Sequence, residues 1–354
     1  MGIYFVLLFV LLFNIFFESE FNNIKIFNYR IRSRNISFFV CFLIILSLGI
    51  LRDEELGVDV ANYKNYFSVI YPNLNIKYFL MDVNYDLGYI ILNKFVGIFT
   101  DNFRIFEIVT YCLNFCIFSI IIYRESRYPA LSFLIYVGLE FIGFNMCILR
   151  QSLACSLCFL AYYCLEKNKK LNYFLFVILA ISFHKTAIFF TLTYLLSYNR
   201  KEFPSHLRNF IITVLFFVGF NYLLPNVYGI YRNDYSNAVV KGQGGKLLLF
   251  YIISLLLINV ILYRHKLKEE IMKYESSFGA VYMQMGALSF ALFTRVTKYF
   301  SILFTLSIPN IVYYSKNRKF YILIYTSMFS LLYIYGLYSN GTNIVPYKSI
   351  FNIL

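Results

Sequence analysis

The sequence predicts an all-α, polytopic helical membrane protein, and three observations lead to this fold class. Of the 354 residues, 60% are hydrophobic and 14% are charged, whereas soluble domains have about 45–50% apolar and about 25% charged residues. The apolar residues form long unbroken runs, which excludes a transmembrane barrel built from alternating segments of about ten residues. Too little polar surface remains for a soluble globular protein, a disordered chain or a nucleic-acid-binding domain.

Twelve apolar runs are candidate transmembrane helices, in a single integral-membrane domain covering 1–354, with ten to thirteen as the range. A helix needs about 20 apolar residues to cross a hydrocarbon core of about 30 Å, and several of these runs are shorter. The runs are 3–17, 37–51, 104–123, 129–146, 150–165, 171–184, 186–198, 209–225, 246–263, 278–294, 297–314 and 320–338. His184 and Lys185 interrupt the stretch 171–198, so two short helices are expected there.

The segment 87–99 is the ambiguous one, because it is short and contains Asn93 and Lys94. If it does not cross, one side of the membrane receives 19 of the 32 basic residues with eight acidic ones, a net charge of +11, and the rest of the chain carries +3. Short basic loops mark the cytoplasmic side. We therefore predict an interfacial or re-entrant helix at 87–99 inside an outer loop 52–103, a second outer loop at 226–245, and both termini outside.

A few cations lie on the predicted outer face, where the positive-inside bias does not explain them. They are Arg52, Arg150, His184, Arg295 and Lys298. A charge inside a span costs about 2.5–3.5 kcal/mol on insertion scales, so such groups point to function. Each also has an ordinary interpretation: a solvated loop, an arginine that snorkels to the interface, a satisfied polar histidine, or a connecting turn.

Taken together, these groups fit one kind of chemistry. Guanidinium groups bind phosphate oxygens bidentately, and Asp59 with its neighbours supplies candidate bases. Cations and one placed carboxylate, open to lipid, would suit a transferase that uses a lipid diphosphate, because the leaving group gains negative charge in the transition state.

Five motifs in order along almost the whole chain resemble the EpsG family of bacterial polysaccharide-synthesis membrane proteins, which are Wzy-type polymerases. A stretch before the interfacial segment, Tyr85-Asp86-x-Gly88-Tyr89, also looks like the acidic and aromatic stretch of such proteins. The five motifs are R-D-x-x-x-G-x-D-x-x-x-Y (Arg52, Asp53, Gly57, Asp59, Tyr63), L-R-Q (Leu149, Arg150, Gln151), S-F-H-K-T-A (Ser182 to Ala187), R-x-x-x-Y-F (Arg295, Tyr299, Phe300) and V-P-Y-K (Val345 to Lys348).

The resemblance implies a GT-C-like membrane glycosyltransferase that polymerises repeat units carried on undecaprenyl diphosphate into exopolysaccharide, capsule or O-antigen. Asp59 would act as the general base or orient the acceptor hydroxyl, and His184 would take the base role or share the diphosphate. Arg150 and Arg295 would bind the diphosphate, and Arg52 would support the loop or the phosphate. The remaining expected substrate-binding residues are Tyr63, Gln151, Lys185, Lys298, Tyr299 and Lys348.

The expected location is the bacterial cytoplasmic membrane, with the site at its outer face. The expected partners are the lipid-linked donor and acceptor, the bilayer, and a chain-length regulator and flippase of the same pathway, with no nucleic acid. No cofactor and no metal site are predicted, although the outer acids leave a divalent metal open. A second hypothesis is a flippase or transporter of lipid-linked sugars, which would need mid-membrane charges and repeated halves, neither of which the sequence displays.

Overall fold

In the computed structural model, the described residues are 1–26, 29–70, 72, 86–197, 206–219, 245–265, 267, 270–290 and 292–351. They form two compact units, one made of Met1–Ile188 with Lys319–Leu354 and the other of Phe189–Arg318. The outer loop predicted at 226–245 lies outside the described residues apart from Gly245, as does the end of the predicted span 209–225. The single membrane domain stays a prediction.

In its described residues, the first unit forms helices and one antiparallel hairpin, in which β1 (Asn23–Ile26) pairs with β2 (Tyr29–Arg32). This hairpin falls in a loop that the sequence predicts to be cytoplasmic, and the sequence analysis did not predict it. The α-helices are α1 (Gly2–Glu20), α2 (Ser33–Ile50), α3 (Val60–Ile70), α4 (Leu87–Gly97), α5 (Phe103–Glu125), α6 (Pro129–Gly138), α7 (Phe141–Cys147), α8 (Leu149–Glu166) and α9 (Lys170–Phe183).

The second unit begins within a 3₁₀ segment, Lys185–Thr191. Its α-helices are α10 (Leu192–Ser197), α11 (His206–Val218), α12 (Gly245–His265), α13 (Ile271–Gly286), α14 (Leu292–Ser301) and α15 (Phe304–Tyr313). The last helix, α16 (Arg318–Ser339), returns to the first unit.

The helices confirm a polytopic membrane protein, while twelve spans are not confirmed. Among the described residues, α1, α2, α5, α12 and α16 are each long and apolar enough to cross a membrane. A sixth span is formed if α6 and α7 count as one, although they meet at an angle of 63°. At that bend Glu140 adopts a left-handed conformation, with φ of 60°, which a non-glycine residue adopts only at some cost.

The predicted break at His184 is present in the structure. Helix α9 ends at Phe183, His184 has extended backbone angles, and a 3₁₀ segment starts at Lys185. The predicted turn at Arg295 is wrong, because Arg295 and Lys298 lie inside α14. Their spacing suits an amphipathic helix: Phe293, Val296 and Phe300 are buried on one face, and Arg295 is exposed on another.

Loops that the charge count assigns to one side lie together at one end of the first unit, here called the Arg34 end. Arg34 donates to the carbonyl that follows α5, and buried Glu18 accepts from the first turn of α6. These contacts satisfy backbone groups that a helix end leaves without partners. The contacts are Arg34 Nε to Ser126 O at 3.1 Å, Ala130 N to Glu18 Oε2 at 3.1 Å, Lys167 Nζ to Glu125 Oε1 at 2.8 Å and Lys319 Nζ to Glu20 Oε1 at 2.7 Å.

The opposite end of the first unit, here called the Arg150 end, gathers the loops predicted to be outside. Helix α2 connects the two ends, with Arg34 in its first turn and Ile50 at its last residue. Arg104 at the start of α5 donates to the Ile50 carbonyl at 2.5 Å. The C-terminal segment crosses the same end, where the Asp53 amide donates to the Lys348 carbonyl at 2.8 Å.

Helix α4 starts and finishes at the Arg150 end, which supports the prediction that this segment does not cross. Asp86, just before α4, lies beside Arg150, and Arg104, in the first turn of the next helix α5, contacts Ile50. With 11 residues, α4 is roughly 16 Å long, about half of the hydrocarbon thickness.

This arrangement predicts the outcome of a reporter experiment. A topology reporter fused after Asp101 should read as external, and one fused after Lys167 should read as cytoplasmic, because α5, the bent pair α6–α7 and α8 separate the two positions. The measurement is paired alkaline phosphatase and fluorescent-protein activity in cells. A cytoplasmic reading after Asp101 would show that α4 crosses the membrane and would overturn this topology.

Candidate functional site

An aromatic cluster under the outer loop forms the base of the site. Helix α3 buries Val60, Tyr63, Phe67 and Ile70, a spacing of three and four residues that places them on one helical face. Tyr89 on α4 packs edge-on against Tyr63, with ring centroids 5.7 Å apart. The same cluster includes Phe103 and Phe106 of α5 and Leu149 of α8, so it joins the loop helices to the helical bundle.

Arg150 lies on top of this cluster, in the first turn of α8. Its guanidinium carbon is 5.9 Å from the ring centroids of Tyr63 and Tyr66 and 5.7 Å from that of Tyr89. Aromatic faces within about 6 Å attract a cation, so three rings fix the position of this guanidinium. The break predicted between the apolar runs 129–146 and 150–165 is reduced to one non-helical residue, Ile148, between α7 and α8.

Asp86 is the carboxylate that faces Arg150. Arg150 Nη1 donates to Asp86 Oδ2 at 3.3 Å, and the two side chains are 22% and 10% exposed. Burial raises the pKa of the Asp86 carboxyl, while the positive charges of Arg150 and Lys185 act in the opposite direction. A carboxylate and a guanidinium thus meet where both are only partly shielded from the surroundings.

His184 and Lys185 approach the same place because α4 packs closely against the end of α9. A Cβ at Gly88 would lie 2.6 Å from Ser182 Oγ and 3.0 Å from Phe183 Cδ2, so a larger residue there would force these side chains to shift. The His184 ring is held by Thr186, whose hydroxyl is 2.7 Å from Nδ1. His184 is half-buried, and Lys185 is exposed.

Arg52 has a different environment from Arg150, since it is completely buried. Its Nη2 is 2.6 Å from Glu107 Oε1, with both side chains 1% exposed, and its Nη1 donates to the Leu56 carbonyl at 2.7 Å. Arg104 holds the other carboxylate oxygen, Glu107 Oε2, at 3.0 Å. This geometry favours the loop-supporting role for Arg52 over direct contact with a phosphate.

Asp59 stands at the start of α3, where its carbonyl accepts from the Tyr63 amide at 3.2 Å. An aspartate immediately before a helix commonly stabilises the helix start, through its side chain or its charge. Close by, Gly57 has φ of +129°, and a Cβ there would lie 2.5 Å from Cys147 Sγ. The glycine therefore allows the loop to dock three residues before Arg150.

The C-terminal segment binds this loop from the other side. Besides the Asp53 contact, the Ile350 amide donates to the Leu51 carbonyl at 3.0 Å, and the Tyr347 hydroxyl donates to the Leu48 carbonyl at 3.0 Å. The V-P-Y-K motif thus acts through its backbone and Tyr347 here, while the Lys348 side chain is exposed. Gln151 is buried beside Arg150 in the first turn of α8.

Three of the residues predicted for the site, Arg295, Lys298 and Tyr299, belong to the second unit. Arg295 is exposed, Lys298 is half-buried, and Tyr299 is completely buried on α14. Gly279 of α13 allows this helix to pack closely, since a Cβ there would lie 2.0 Å from the Phe300 ring. Among the described residues, no three His, Cys, Asp or Glu side chains are grouped as metal ligands would be.

The sequence analysis missed Asp86, Tyr66, Tyr89 and Glu107 as members of this end of the unit. Asp86 and Tyr89 carried a signal, because both belong to the acidic and aromatic stretch that begins at Tyr85 and continues into α4. Tyr66 follows Tyr63 at helical spacing. Glu107 lies within an apolar run, where a lone carboxylate requires a buried cation as its partner.

Removing the Glu107 charge should destabilise the protein, because Arg52 would keep a buried charge without an anion. We expect Glu107→Gln to lower the free energy of unfolding by about 3–5 kcal/mol, measured as a lower thermal unfolding midpoint in detergent. Glu54→Gln is the control, because the Glu54–Lys64 pair is exposed and should contribute about 1 kcal/mol or less. Equal midpoints for the two variants would contradict this account of Arg52.

The chain was also compared with known proteins. No curated protein and no solved structure matches it. The EpsG family matches residues 34–349, a range that includes α2 to α16, the Arg52 loop, Arg150, His184 and the V-P-Y-K motif. Because this match extends over most of the sequence, the chain belongs to the EpsG family.

Proposed function

We propose that this protein is a membrane glycosyltransferase that joins oligosaccharide repeat units, carried on a lipid diphosphate, into a polysaccharide. The observation that carries the proposal is Arg150, a guanidinium fixed by three tyrosine rings beside the Asp86 carboxylate, which the positive charge of Lys185 also reaches. Membership of the EpsG family and the apolar helices fit a polysaccharide polymerase in general.

The proposed reaction uses these groups as follows. An acceptor hydroxyl attacks the anomeric carbon of the donor sugar, the bond from that carbon to the diphosphate oxygen breaks, and a base of the protein takes the hydroxyl proton. Arg150, together with Lys185, would stabilise the charge that develops on the departing diphosphate. Asp59 and His184 are the bases that the sequence predicts, and Arg295 and Lys298 stay substrate-binding residues predicted from the sequence alone.

The setting is also part of the proposal. The lipid would be undecaprenyl diphosphate, and the site would face the outer side of a bacterial cytoplasmic membrane, with both termini on that side. Exopolysaccharide, capsule and O-antigen would all be products of this chemistry. A flippase would deliver the lipid-linked units to the outer leaflet, and a chain-length regulator would act on the same polymer.

The proposal predicts the phenotype of two substitutions. In a deletion strain complemented with Arg150→Ala or His184→Ala, we expect long polymer to be lost while single repeat units persist on the lipid carrier. The measurement is polymer length by gel electrophoresis of extracted polysaccharide. Arg124→Ala is the matched control, because Arg124 is an exposed cation at the Arg34 end of the first unit and should leave polymer length unchanged.

Two results would reject the proposal. Normal chain lengths in both variants, at normal protein levels, would show that the Arg150 end of the unit does not carry the reaction. Accumulation of repeat units on the inner leaflet in the deletion strain would instead identify the protein as a flippase for lipid-linked sugars.

A further inference from the structure

Two ion pairs at the Arg150 end of the first unit differ in how tightly they are enclosed. The Arg52–Glu107 pair is sealed, with both side chains 1% exposed, an N–O distance of 2.6 Å and a second arginine on the same carboxylate. The Arg150–Asp86 pair is longer, at 3.3 Å, and its side chains are 22% and 10% exposed. Of the two, only the second can exchange one anion for another without opening the core.

The two members of this pair are also held differently. The three tyrosine rings fix the Arg150 guanidinium from the protein side. Asp86 stands immediately before α4, where an aspartate side chain commonly accepts from the first amides of the helix. The Asp86 carboxylate makes no such capping bond and instead contacts Arg150. A rotation of this short side chain is therefore enough to break its contact with the guanidinium.

We propose that Asp86 occupies Arg150 only until a phosphate group of the substrate binds, and that the displaced carboxylate then accepts the proton of the attacking hydroxyl. This inference rests on the proposed function for its second half. Arg150 remains in place and exchanges one anion for another, so its charge is never left without a partner. The exchange keeps the aspartate beside the reacting groups.

The proton balance of the step is complete. The acceptor oxygen forms a bond to the anomeric carbon, the bond from that carbon to the diphosphate breaks with its electron pair on phosphate, and the hydroxyl proton moves to Asp86 Oδ2. Burial raises the pKa of the Asp86 carboxyl, which makes it a stronger proton acceptor than an exposed aspartate. Asp59, the base that the sequence predicts, stands at the start of α3, where its carbonyl accepts from the Tyr63 amide.

The first experiment measures binding of inorganic diphosphate to the purified full-length protein by titration calorimetry. Asp86→Asn removes the competing anion, so we expect binding to tighten by about threefold to tenfold. Arg150→Ala should lose the binding, also when combined with Asp86→Asn. Glu54→Gln, an exposed acid of the same loop, is the control and should bind like the unchanged protein.

The second experiment measures polymer formation in the complemented deletion strain. Asp86→Asn should abolish long polymer although it binds diphosphate more tightly, and Glu54→Gln should polymerise normally. Asp86→Ser provides a second neutral side chain for both experiments, and thermal unfolding of each variant reports whether it folds. A purely structural role for Asp86 would weaken diphosphate binding and polymer formation together.

Each half of the inference can fail separately from the proposed function. Unchanged or weaker diphosphate binding in both neutral Asp86 variants overturns the exchange, and normal polymer in either overturns the proton-acceptor role. If the deletion strain makes normal polymer while Asp86→Asn still tightens diphosphate binding, the proposed function fails and the exchange stands. If deletion abolishes polymer and Asp86→Asn leaves diphosphate binding unchanged, the exchange fails and the proposed function stands.

Discussion

Arg52 and Arg150 lie at one end of an apolar helical unit, and each needs an anion there because a buried charge without a partner costs several kcal/mol. Arg52 forms an ion pair with Glu107, which lies within the apolar helix α5, and this pair fixes the loop to the bundle. Arg150 forms an ion pair with Asp86, which belongs to the loop, and both side chains of this pair remain partly exposed. The same requirement therefore produces one permanent ion pair and one that a substrate anion could replace.

The aromatic cluster links these two pairs. Tyr63 and Tyr89 pack on each other under Arg150, and Phe106 lies in the same cluster one residue before Glu107. Rings can line a cation on one side and fill an apolar core on the other, because their faces carry negative potential and their area is hydrophobic. The loop helices thus owe their position to the same side chains that hold the guanidinium.

Much of the architecture followed from composition and charge. Apolar runs predicted nearly every helix of the described residues, and the charge count correctly grouped the loops that meet at the Arg34 end. The hairpin β1–β2 was missed although Ile24, Ile26, Tyr29 and Ile31 alternate with polar residues, because each strand has only four residues. The turn predicted at Arg295 was wrong. Arg295 and Lys298 interrupt the apolar run in the sequence as a turn would, but both lie within the amphipathic helix α14.

The sequence by itself determined that the chain is a helical membrane protein, and it predicted that α4 does not cross and that Arg150 and His184 are candidates for chemistry. These conclusions depend on local composition and on the cost of placing charge in lipid, both of which can be read residue by residue. Only the tertiary structure decided which carboxylate meets which arginine, assigning Glu107 to Arg52 and Asp86 to Arg150. Such pairings join residues 55 and 64 positions apart, and packing of the loop on the bundle sets them, since residues so distant in sequence meet only through the fold.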